Sequence, residues 1–147
     1  MAKLEAMPAH ARMHAAAAAL DDGTGSRVLA SPATAQIVQS ALLHFDTERY
    51  RLMAWCVMPT HVHVLVEQIA GWPLPQVTHA WKSFTAKAIN KALGRKGRLW
   101  APEYYDRFMR DDGQFQATRD YIENNPVSAG LCGTPDTWLW SSASAVL

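Results

Sequence analysis

The stretch Trp55-Cys-Val-Met-Pro-Thr-His-Val-His-Val-Leu-Val-Glu67 decides how the chain is read. It predicts a strand, a tight turn at Pro59-Thr60 and a returning strand. Side chains alternate across a strand, so His61 and His63 share one face while Val62, Val64 and Val66 share the other. The valine face is built to pack on a core. The histidine face offers two imidazoles to one metal ion.

The flanking segments supply the rest of a small α+β domain with an antiparallel sheet. In the incoming strand, Tyr50 to Met58, apolar residues fall on both faces, with Tyr50, Leu52, Ala54, Cys56 and Met58 on one and Met53, Trp55 and Val57 on the other. That pattern predicts an interior strand, or one covered by helices. Upstream, Ser31-Pro32 reads as a helix start, with serine as N-cap and proline in the first turn. Downstream, a helix is expected from about Gln76 to Leu93, burying Val77, Ala80, Trp81, Phe84, Ala88 and Leu93 and turning Lys82, Lys87 and Lys91 outward. Arg98 to Met109 reads as short extended pieces. A last helix, Gln114 to Asn124, is expected to stop at Pro126. Trp138 and Trp140 should pack the tail back on the domain. Residues 1–25 are alanine-rich, and Pro8 to Leu20 is expected to be helical because alanine favours helix.

At 147 residues, 49% hydrophobic and 18% charged, the chain is expected to form a single globular domain. The net charge of +1 points to no partner, but nine of the 14 basic residues lie between Lys82 and Arg119 against four acidic ones. Such a local excess suits either a solvated helix face or a polyanion. The two cysteines, Cys56 and Cys132, form no Cys-x-x-Cys motif, so neither a zinc knuckle nor a disulfide framework is expected. No apolar run approaches the ~20 residues of a membrane span, and Ala15 to Ala19 is too short for a signal core. The expected location is the cytoplasm.

A His-x-His pair needs a third ligand to hold a metal, and Asn125, Glu67 and Glu123 are the candidates. Oxygen donors of that kind suit magnesium or manganese. Tyr121 is the second reactive residue. It lies near a helix end among Asp120, Glu123, Asn124 and Asn125, a polar setting that is odd for a core aromatic. Asn125 follows it by four residues and so shares its helix face.

Five motifs occur in order: Trp55-Cys-Val-Met-Pro-Thr-His-Val-His63, Trp81-Lys-Ser-Phe-Thr85, Tyr105-Asp-Arg-Phe-Met-Arg110, Tyr121-Ile-Glu-Asn-Asn-Pro-Val-Ser-Ala-Gly-Leu131 and Trp140-Ser-Ser142. Together they resemble the REP-associated tyrosine transposases, members of the single-strand transposases in which two histidines flank one hydrophobic residue. The resemblance spans about residues 20 to 143. It implies a ferredoxin-like antiparallel sheet with helices on one side. It implies that His61, His63 and Asn125 hold a divalent Mg or Mn ion. Tyr121 would attack single-stranded hairpin DNA to give a 5′-phosphotyrosine, and Lys82, Lys87, Arg107 and Arg110 would contact phosphates. Such a protein would work on the nucleoid. Two departures stand out. Thr60 replaces the asparagine common in the family, and residues 1–12 lack the alternating pattern of the family's first strand. The reading from the sequence is therefore a single domain over residues 1–147, atypical over 1–25 and missing its first strand. Open sheet edges would then favour self-association, unless Arg27 to Ala30 or a second copy filled the gap. Two other functions compete with transposition: a weakened hairpin-binding module left by truncation, and a metal-dependent hydrolase that uses water.

Overall fold

The computed structural model describes residues 12–21, 27–102 and 105–144. In chain order the elements are β1 (Met13–Ala19), α1 (Pro32–His44), β2 (Tyr50–Val57), β3 (His61–Gln68), α2 (Leu74–Leu93), β4 (Tyr105–Phe108) and α3 (Asp112–Ser128). The strands form one antiparallel sheet in the order β2-β3-β1-β4. The α+β class and the central hairpin are as the sequence predicts. The Met58 amide closes the turn on the His61 carbonyl at 2.8 Å.

The first strand is present, and this corrects the expectation that it is missing. Met13 to Ala19 pairs with β3 over seven residues and with β4 over four. Alanine prefers helix in isolation, but a helix here would leave the inner edges of β3 and β4 without hydrogen-bond partners. The ladder on both sides overrides the propensity. Arg27 to Ala30 does not pair as a substitute; Val28–Ala30 is a single 3₁₀ turn. With β1 in place, the grounds for expecting a marginal, self-associating chain fall away. Two side-chain clamps tie neighbouring strands together. The buried His14 bridges Asp106 on β4 (Nδ1 to Oδ1, 3.0 Å) and Gln68 on β3 (Nε2 to Oε1, 3.1 Å). Glu67 is held between Arg12 and Arg51.

Helices cover both faces of the sheet, not one. Val62, Val64 and Val66 pack with Val57 and Ala16 beneath Val38 and Leu42 of α1 and Val77 and Ile89 of α2. On the opposite face, Met13, Ala15, Ala54, Cys56 and Leu65 pack against Ile122 of α3. A bulge between Leu52 and Ala54 shifts the register of β2. It moves Trp55 and Val57 to the same face as Tyr50 and Leu52, where strict alternation had put them opposite.

The helix expectations hold in outline and differ in detail. On α2 the buried side includes Thr78, Thr85 and Ile89, while Phe84 and Leu93 are exposed. The threonine hydroxyls satisfy themselves on carbonyls one turn back, and Thr85 also accepts from the Trp100 indole at 2.9 Å. That bonding lets polar residues sit in the core. On α3, Asp111 caps the first turn by accepting from the Gln114 amide at 2.7 Å. The helix runs past Pro126 to Ser128, so the proline sits in its last turn. The tail packs back as expected. Trp138 donates to the Val57 carbonyl at 3.0 Å, and Ser142 bonds the backbone of Trp55, so the tail covers the outer edge of β2.

Candidate catalytic face

The α3 side of the sheet carries the chemistry. His61 and His63 project from β3 with ring centroids 4.8 Å apart and planes at 88°. Thr60 Oγ1 lies 3.1 Å from His61 Nδ1 and orients that imidazole. The small hydroxyl at the turn therefore has a partner where the family more often has asparagine. Burial lowers the pKa of both histidines. For His63 desolvation, and then the neighbouring His61, bring it to about 4. Both rings are thus neutral at neutral pH, the form that binds metal.

Tyr121 faces this pair from α3. Its neighbour Ile122 is buried against the sheet, which fixes the helix rotation and turns Tyr121 toward His63. The tyrosine is 61% exposed, and its ring stands edge-on to His63 at a centroid distance of 5.9 Å. Thr118 and Gln114, one and two turns earlier, line the same cleft. The spacing 114, 118, 121 could have identified them from the sequence, since i, i+4 and i+7 share a helix face. The cleft holds about 560 Å³ and is bounded by His63, Tyr105, Arg107 and Tyr121 over a floor of β1 alanines.

The remaining predicted residues divide. Asn125 stands one turn beyond Tyr121 and is half-buried. Glu67 is engaged by two arginines, and Glu123 accepts from the Ser142 hydroxyl at 2.6 Å. Neither carboxylate is free for a metal. Among the described residues no third His, Cys, Asp or Glu joins the histidine pair. The donors that the fold brings together are therefore two neutral imidazoles, side chains whose ring nitrogens can ligate a divalent metal. Arg107 lies on the catalytic face, whereas Arg110 is exposed just before α3. Lys82 and Lys87 do not reach this face, because α2 packs on the other side of the sheet. The Lys82 amine donates to the Ala101 carbonyl at 2.7 Å, and partial burial lowers its pKa. Charge clustering in the sequence could not reveal this, because it does not say which side of a sheet a helix takes.

An antiparallel α+β domain that sets a histidine pair against a helix-borne tyrosine belongs to the structural class the motif order implies. Residues 28–125 match the family model described as Transposase IS200 like, and the chain belongs to that family. It is similar to the REP-associated tyrosine transposase of Escherichia coli (strain K12), with 26% identity over 112 residues. That match takes in 73% of this chain and 63% of the relative, so the chain spans less than two thirds of that protein's length. A solved structure of a REP-associated tyrosine transposase bound to a REP hairpin has the same fold. Its TM-score is 0.69 at 22% identity, covering 90% of this chain and 76% of that one.

Proposed function

We propose that the chain cuts and rejoins single-stranded, hairpin-forming DNA through a covalent link to Tyr121. The observation that carries this reading is the approach of an exposed tyrosine to a neutral histidine pair on an open sheet face. The phenol oxygen of Tyr121 attacks a backbone phosphorus, and the bond from phosphorus to the 3′ oxygen breaks. The products are a 5′-phosphotyrosine and a 3′-hydroxyl. The phenol proton passes to solvent, and the departing oxygen takes one up. Because the phosphodiester is exchanged rather than hydrolysed, the reverse attack by a 3′-hydroxyl restores the strand with no added energy source. His61 and His63, with Asn125, would hold a divalent Mg or Mn ion, which supplies charge stabilisation to the phosphoryl oxygens. Arg107 would contact a phosphate from the opposite wall of the cleft. The relative solved with a REP hairpin supports a hairpin as the substrate form. Among the described residues no helix is long and apolar enough to cross a membrane. In this reading the chain acts as one domain on nucleoid DNA in the cytoplasm.

The test is end-labelled hairpin DNA with manganese, run on a denaturing gel. The wild-type chain should give a covalent protein–DNA band, and chelator present from the start of the reaction should prevent it. Tyr121→Phe should abolish the band, at least about 1,000-fold below wild type, with hairpin binding within a few-fold, because only one exposed hydroxyl is lost. A band of equal yield from the phenylalanine variant would remove Tyr121 from the role.

A further inference from the structure

The alanines of β1 do more than fill the sheet. Ala17 pairs with His63 on one side and Tyr105 on the other, so these three lie in one row across the catalytic face. Ala15 pairs with Arg107 in the next row, and Ala19 with His61 in the row before. Alanine ends at Cβ, so the sheet surface sinks along β1 between walls of longer side chains on β3 and β4. Ala17 is half-exposed and Ala19 exposed, which leaves this floor open. Strands are about 4.8 Å apart, so the backbones of the two walls are separated by about 10 Å. That gap, narrowed further by the side chains of both walls, leaves no room for a two-stranded helix. It admits one flexible strand.

A second cleft of about 430 Å³ continues past the histidines and shares Ala17, His63 and Tyr105 with the first. The trough therefore runs along the face that carries the two histidines rather than ending at it. Arg107 lines it, and no acidic residue lines either cleft among the described residues. Tyr105 is 49% exposed and, among the described residues, no other ring stacks on it. Phe108, also exposed, lies on the other face against His14. The His14 clamp on Asp106, one residue from Tyr105, holds β4 in register.

We propose that single-stranded DNA runs along the trough floored by Ala15, Ala17 and Ala19, and that Tyr105 is a positioning residue that stacks a base there. The substrate class rests on the function proposed above; the placement of the strand and the role of Tyr105 are separate. An aromatic face beside a cationic wall binds single strands of any sequence, because every base has a π-face. Stacking on Tyr105 would hold the backbone beside His63 while Tyr121 approaches from α3.

The experiment uses the full chain with Tyr121→Phe and chelator present, so that binding is read without covalent capture. The probe is a fluorescein-labelled oligothymidine of about 12 nucleotides, followed by anisotropy. Tyr105→Ala should weaken binding roughly tenfold to a hundredfold, while Tyr105→Phe, which keeps the ring, should stay within about threefold. Ala17→Leu, which fills the floor, should weaken it similarly with an unchanged melting temperature. Wild-type-like binding by Tyr105→Ala overturns the proposal, as does equal loss in the phenylalanine and alanine variants. The two readings fail separately. An unaltered chain that binds in this pattern yet forms no adduct loses the nicking function and keeps the trough. An adduct-forming chain indifferent to Tyr105→Ala loses the trough and keeps the nicking function.

Discussion

β1 and β3 lie side by side in the sheet, paired over seven residues, and they hold their places by opposite means. β3 is a side-chain strand. Its valines are buried under α1 and α2, its Leu65 under α3, and its histidines carry the candidate chemistry. β1 is a backbone strand. Five consecutive alanines bring almost no side-chain area to either face, and the segment is extended because its amides and carbonyls complete ladders on both sides. The difference teaches that one strand of a sheet can be fixed by its neighbours. Its emptiness can also be useful, since the low floor of the proposed trough exists because β1 carries nothing larger.

The largest expected effect comes from attacking the ladder itself. Ala16 lies mid-strand, paired with Val64 and Asp106. Ala16→Pro removes an amide donor from an interior strand and forces φ to about −65°, which should cost more than about 3 kcal/mol and leave the chain largely unfolded by circular dichroism. A folded chain with a melting temperature near wild type would mean that β1 is not held by its backbone.

The next effect belongs to β3 and is set by pH. The folded pKa of His63 lies near 4, below the usual 6.5, and that of His61 is also lowered. Between those values the unfolded chain binds more protons than the folded one. Stability therefore rises with pH through this window, is fully present above about 6.5 and is lost as pH falls toward 4. At ~1.4 kcal/mol per pKa unit, and allowing for partial exposure, the loss should be roughly 2–3 kcal/mol. Urea unfolding in chelator at a series of pH values measures it, and His63→Gln should flatten the slope. An unchanged slope in that variant would place the proton uptake elsewhere.

The same contrast explains what could be read from the sequence. β3 was legible because its alternation of valine and histidine is a period-2 pattern with a turn before it. α1, α2 and the tryptophan tail were legible for similar reasons, and so were His61, His63 and Tyr121, which the fold brings together. β1 was not legible, since a run of alanines has no faces to alternate and its intrinsic preference points to helix. The family match likewise begins at residue 28, beyond this strand. The placement of α3 on the opposite face, and of Lys82 away from the site, depends on how elements wrap the sheet, which local pattern does not encode.

The smallest effect asks whether the alanines are needed for stability at all. Ala16 faces α1 and α2, the side away from the proposed trough, and it lines a gap of about 50 Å³ shared with Val38, Leu42, Val64 and Trp81. The gap follows from placing a side chain of one carbon where the neighbouring strand carries valine. Ala16→Val adds two methyl groups to this space and replaces a poor strand former with a good one. Filling a void recovers dispersion contacts that its lining lacks. The expected gain is about 1 kcal/mol, or a rise of roughly 2–4 °C in melting temperature for a chain of this size. Oligothymidine binding should not change, because the substitution is on the other face. By contrast Ala17→Leu, one residue along and pointing into the trough, should weaken binding without that gain. If Ala16→Val instead lowers the melting temperature, the small side chain is a packing requirement of the helical face. The alanine run would then be dictated by the core rather than by the strand it is proposed to leave room for.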